Sequence, residues 1–138
     1  MLDIQVKEVK LSERECYEMI RDPRAGGSVV FTGTVRDQTK GKKVLKLEFE
    51  AYEPMAIKEM EKIAMYIEKN WKALHICIHH RVGSLSIGEI PVIIAVSTPH
   101  RKEAFEACQY AIDTLKETVP IWKKEIFEDG EVWVAAHP

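Results

Sequence analysis

The chain has 138 residues, room for one compact domain and too little for two ordinary ones. Its 46% hydrophobic and 30% charged residues suit a folded core and exclude a disordered protein. A net charge of −2 excludes a globally basic nucleic-acid binder, so any anion site must be a local cluster. Cys16, Cys77 and Cys108 stand far apart with no C-x-x-C, which argues against a disulfide framework and for a reducing cytoplasm. The opening MLDIQVKEVKL has no apolar signal region, and the longest apolar run, Ile90 to Val96, is far below membrane-spanning length.

Ile4, Val6 and Val9 predict a short first strand. Ser12 and Glu15 then form a capping-box pair at a helix start, with Leu11 and Cys16 as its hydrophobic staple. That helix stops before Pro23, and Gly26-Gly27 make a loop. Ser28 to Arg36 reads as a strand in which Gly33 marks a bulge or a close backbone approach. Asp37 to Lys43 is a polar turn. Leu45, Leu47, Phe49 and Ala51 alternate with Lys46, Glu48 and Glu50 in a half-buried strand, expected to pair with the preceding one. Pro54 sits in the first turn of a long helix whose apolar face runs through Ala56, Met60, Ile63, Ala64, Ile67, Trp71 and Leu74. His75 to Val82 and Glu89 to Ser97 are strands joined through Gly83 and Gly88, the second apolar enough for a central position. Thr98 and Pro99 are placed as N-cap and first residue of a helix with apolar residues Ala104, Phe105, Cys108, Ala111, Ile112 and Leu115. Pro120 ends it, and Asp129-Gly130 turns a hairpin between Glu125–Glu128 and Glu131–Val134.

Three basic clusters could carry chemistry. His100, Arg101 and Lys102 crowd a helix start, where cations oppose the helix dipole and an anion would relieve them. The same turn also fits a solvated basic surface offset by Glu103 and Glu106. Lys116 follows Phe105, Cys108 and Ile112 at helical spacing, which predicts partial desolvation and a lowered pKa. A lysine merely complementing the negative end of its helix is the plainer alternative. Lys123 and Lys124 follow the Pro120 turn and point to different sides if extended, so one of them could turn back toward Lys116. Arg36 ends a strand beside a Gly/Lys loop, a place to grip phosphate or an ordinary surface position. No metal site is expected: His75, His79, His80 and Arg81 lack ligand spacing, and Cys77 and Cys108 read as core thiols. GSLSIG lacks the P-loop lysine and reads as a turn.

The blocks FTGTVRDQTKG, LEFEAYEPMA, HHRVGSLSIGE, VSTPHRKEAFEACQYAIDTLK and VPIWKKE follow one another from about Val29 to Trp133. In this order and spacing the chain resembles the molybdopterin synthase large-subunit family. The resemblance implies a single α+β domain over residues 1–138 with an α/β hammerhead fold: a mixed or antiparallel sheet, two long helices and a C-terminal hairpin. It implies a homodimer of large subunits, each docking a small ubiquitin-like carrier that ends in a Gly-Gly thiocarboxylate. Two sulfurs would pass from that carrier to cyclic pyranopterin monophosphate, giving the dithiolene of molybdopterin, with no cofactor on this chain. By position, Lys116 and Lys123 match the two catalytic lysines. Arg36, His100 and Arg101 match residues that hold the substrate or its phosphate, and Thr34, Val35, Lys124 and Glu125 border them and line the pocket. Members of the family can extend at the C-terminus and supply a basic group across the dimer. Here the segment from Val134 to Pro138 has no Lys or Arg, so such a contribution must come from elsewhere or be missing. Two other classes fit parts of the sequence: a non-catalytic scaffold for a ubiquitin-like partner, and a lysine enzyme forming Schiff bases.

Overall fold

The computed structural model describes the backbone of residues 1–135 and the side chains of residues 1–130. Strand β1 (Leu2–Lys7) leads to helix α1 (Glu13–Ile20), strand β2 (Gly27–Gly33), the short β3 (Gln38–Thr39) and β4 (Lys42–Ala51). Helix α2 (Glu53–Trp71), β5 (His75–Arg81), β6 (Gly83–Ser86) and β7 (Val92–Thr98) follow. Helix α3 (Arg101–Thr118) and the hairpin β8 (Ile121–Phe127) and β9 (Gly130–Ala135) complete the described chain. Among the described residues no helix is long and apolar enough to cross a membrane.

The strands form two sheets. One has the order β1-β5-β7-β2, with β1 parallel to β5 and the other pairs antiparallel. Every residue of β7 is buried, as an apolar central strand requires. The other has the order β3-β4-β8-β9, with β6 also pairing β4. This corrects the expected hairpin: β4 lies in a different sheet from β2 and pairs with β3, β6 and β8. The turn residues Lys40 and Gly41, both at positive φ, couple β4 to the two-residue β3 instead. A register shift between Val44 and Lys46 also turns Leu45 outward, so its alternation with Leu47 is broken.

Alternation along β5 and β7 divides the core. Ile76, Ile78, Ile94 and Val96 join α2, α3 and the second sheet in the larger apolar cluster. Cys77, Ile93 and Ala95 join Leu11, Cys16 and Ile20 in a smaller one beneath α1. Full burial of each large aliphatic side chain contributes about 1.5–3 kcal/mol. The Ser12 half of the expected capping box forms, the Glu15 N–H donating to Ser12 Oγ at 3.1 Å, while the Glu15 carboxylate pairs with Lys7, and Leu11 and Cys16 are buried together. Val9 lies outside the first strand and is exposed.

Two glycines place the start of α3. A Cβ on Gly27 would stand 2.5 Å from Arg101 Cα, and one on Gly26 2.3 Å from the Pro99 carbonyl oxygen. The Gly26 N–H donates to the carbonyls of Thr98 and Pro99. The helix therefore starts two residues later than the Thr-Pro pair predicts. Thr98 stays in the ladder opposite Gly27, its hydroxyl donating to the His100 carbonyl, and His100 becomes the N-cap.

Candidate active site

Strand β8 carries the densest part of the site. Its odd positions Ile121, Lys123, Glu125 and Phe127 face inward while Trp122 is exposed on the other side with Lys124. Lys123 pairs across the ladder with Phe49 and Glu125 with Leu47, both buried apolar residues. Burial pulls the Lys123 ammonium below the usual lysine range. The Glu125 carboxylate opposes that shift, and the charges of Lys116 and Arg36 add to it. Lys116, Arg36 and Glu125 thus all act electrostatically on Lys123: three cations and one buried carboxylate, a surplus of positive charge that attracts an anion.

The expected desolvation of Lys116 is corrected here. Lys116 and Phe105 are exposed, and the buried face of α3 runs through Ala104, Ala107, Cys108, Ala111 and Leu115. Three alanines on that face leave little bulk beneath the helix, so the large Phe105 is turned outward. Lys116 contributes charge from the rim, and Lys123 is the lysine whose charge is disfavoured.

Arg36 reaches this end of the molecule through a stretch that is no longer strand, since β2 ends at Gly33. Gly33 is a close approach, its Cβ position only 2.7 Å from Val92 Cγ1. Val35 buries its side chain, donates its N–H to the Glu89 carbonyl at 3.0 Å and accepts from the Gly88 N–H at 2.9 Å. It holds the exposed Thr34 and Arg36 on either side. Lys124 lies opposite Glu48 on the face away from Lys123.

His100 and Arg101 are not part of this cluster within one chain. They sit at the N-terminus of α3, pinned beside Gly27, and both are exposed. Lys116 lies in the last turn of the same helix, about 22 Å along its axis at about 1.5 Å per residue. Strand β2 spans the same length from Gly27 to the Arg36 end. The predicted site residues therefore divide into two basic clusters at opposite ends of α3.

A family model described as the MoaE protein matches residues 6–118. The chain belongs to the MoaE family. A curated MoaE relative, the molybdopterin synthase catalytic subunit of Bacillus subtilis, is 46% identical over 130 residues, covering 94% of this chain and 83% of its own. The X-ray crystal structure of molybdopterin synthase from Staphylococcus aureus superposes with a TM-score of 0.90 at 46% identity, over 94% of this chain and 95% of that one. At 23% identity and a TM-score of 0.71, a Helicobacter pylori structure described as a complex of subunits 1 and 2 of molybdopterin-converting factor shares the MoaE fold, over 96% of this chain and 89% of that one.

One cluster escaped the sequence reasoning. Cys16, Cys77 and His79 are fully buried, with one potential ligand atom from each lying within 4.8 Å of the others. This corrects the expectation that no cysteine stands at ligand distance from the histidines. The missed signal was local: Cys77 and His79 are two apart on one strand and share a face. Their third member, Cys16, comes from α1, sixty-three positions from His79.

Proposed function

We propose that this chain is a sulfurtransferase, the catalytic subunit of a molybdopterin synthase, acting as one domain over residues 1–138 in the cytoplasm. The substrate class is a pyranopterin phosphate. The sulfur donor is the C-terminal thiocarboxylate of a small ubiquitin-like carrier. The observation that carries the reading is the desolvated Lys123, set against Glu125 and flanked by Lys116 and Arg36. Both reactants are anions, and the cluster has a surplus of positive charge to receive them. A lysine that holds its proton loosely suits proton transfer at the sulfur-bearing carbonyl as the acyl–sulfur bond breaks. Lys116, on the rim, suits stabilisation of the oxygen charge that develops there. Arg36 suits bidentate phosphate binding, with Thr34 and Val35 beside it, whereas Lys124 faces away from Lys123 and is not assigned to this pocket.

The assembly proposed with it is a homodimer of this chain carrying one small subunit on each protomer. The Helicobacter pylori relative, described as a complex of two subunits, supports the small partner. The division of the basic residues supports the dimer: His100 and Arg101 of one protomer would complete the cluster of Lys116, Lys123 and Arg36 on the other. The C-terminal residues 136–138, part of the segment that bears no Lys or Arg, lie outside the described residues.

The test mixes the chain with thiocarboxylated carrier and cyclic pyranopterin monophosphate and weighs the pterin by mass spectrometry. The product is expected to gain two sulfurs. Lys123→Ala and Lys116→Ala are each expected to lower turnover by about 10²–10⁴-fold, the usual worth of a positioned acid or base. Carrier binding without conversion in the unaltered chain would leave only a scaffold. Undiminished turnover in both variants would overturn the assignment of the lysines.

A further inference from the structure

The buried trio beneath α1 lies on the face of the first sheet away from Lys123, and the proposed chemistry does not use it. Cys16 Sγ lies 3.4 Å from His79 Nδ1. His79 Nε2 is hydrogen-bonded to Asp3 Oδ2, and the same oxygen is 3.9 Å from Cys77 Sγ. Asp3 is itself held by Gln5 Nε2, which donates to both carboxylate oxygens at 3.1 and 3.2 Å. The strand register explains the grouping, since Asp3 pairs with Cys77 and Gln5 with His79 on one face. The Asp3 carboxylate takes the Nε2 side of the ring and leaves Nδ1 facing the sulfurs.

We propose that Cys16, Cys77 and His79 form a zinc(II) site that fastens α1 to the sheet. Two sulfurs and one imidazole nitrogen are a ligand set that zinc takes readily, with a fourth position left for a small ligand such as water. A carboxylate on the far nitrogen of a ligating histidine is the usual outer support, fixing tautomer and ring orientation. Asp3 occupies that place. Charge selects the ion. Two thiolates and a neutral imidazole sum to −2, which zinc(II) cancels, so that the partly exposed Asp3 carboxylate is the one charge left at the edge of the apolar enclosure. Copper(I), the other thiophilic candidate, would leave a net negative charge buried among Leu11, Ile20 and Ile93. Binding releases two protons to solvent, because both cysteines ligate as thiolates and the histidine as neutral imidazole. The trio is enclosed, so the ion enters as the chain folds or when the eight-residue α1 lifts.

The experiment unfolds the full chain in chelator and reductant. It then refolds the chain with zinc(II), copper(I) or cobalt(II), or with no metal, and measures bound metal by elemental analysis. One zinc per chain is expected, with an unfolding midpoint that rises with free zinc. Cobalt(II) should show thiolate charge-transfer bands and intense tetrahedral visible bands. Cys16→Ala, Cys77→Ala and His79→Gln should each lose metal, while Cys108→Ala keeps it. If the substituted chains fail to fold, the unaltered chain decides by its cobalt spectrum. A reduced, refolded chain that takes up no metal, binds cobalt without thiolate bands, or prefers copper(I) overturns the proposal. The readout is metal content and not turnover, so its failure leaves the sulfurtransferase reading untouched.

Discussion

Lys123 carries a proton that its surroundings disfavour, and each influence on it can be removed separately. Arg36→Gln or Lys116→Gln removes a repelling charge and should move the Lys123 titration to higher pH; Glu125→Gln removes an attracting one and should move it lower. The alkaline limb of the pH–rate profile, or NMR of an isotope-labelled lysine, reads the direction. Stability follows with a definite sign. The unfolded chain keeps this proton to about pH 10.4, whereas the folded chain gives it up earlier. Between those points the unfolded state binds more protons, so stability rises with pH across the window. Lys123→Met should therefore stabilise the fold at neutral pH by up to about 1 kcal/mol, less as pH nears 10, while abolishing turnover. Denaturant midpoints at neutral and alkaline pH check this. The order of motifs marked both lysines by resemblance, but helical spacing assigned the desolvation to Lys116. That reasoning followed the bulky Phe105, and the packing of α3 is set by its alanines. The cysteine–histidine cluster was half legible, in the two-residue step from Cys77 to His79. Its other half depends on which helix covers the sheet, and no local pattern encodes that.

The first helix and the start of the third are the elements whose details reach the functional groups. Gly27→Ala would press a methyl carbon against the Arg101 backbone, 2.5 Å from its Cα, where little can yield. The expected cost is about 1–3 kcal/mol. Displacement of His100 and Arg101 should also weaken substrate binding more than it slows the bound complex. Calorimetry and a KM-against-kcat comparison separate the two effects. Ser12→Ala removes the cap of α1 and should cost about 1 kcal/mol in thermal or chemical unfolding. Helix and strand positions were mostly readable, because caps, Pro54, the apolar run of β7 and Asp129-Gly130 are local signals. Strand partnership was not. The alternation in β4 announced a half-buried strand, but its neighbours β6 and β8 come from far along the chain and are chosen by the closing of the second sheet.

At the scale of the molecule, α3 acts as a spacer holding two basic clusters apart. A site shared across a dimer makes a distinctive prediction. Arg101→Ala and Lys123→Ala chains, each nearly inactive alone, should recover activity when dissociated and reassociated together. In an equal mixture half the dimers are mixed and each has one intact site of two, so about a quarter of the original activity should return. No recovery would place the whole site within one chain. The parallel pairing of β1 with β5 has a consequence at another stage of the protein's life. Leu2 meets Ile76, so once made this strand has no partner until some seventy further residues have followed it. At about 5–20 residues per second that wait is roughly 4–15 s, with an apolar strand unprotected throughout. Nascent chains of this protein are thus expected to depend on holding chaperones early and to collapse into the native sheet only late in synthesis.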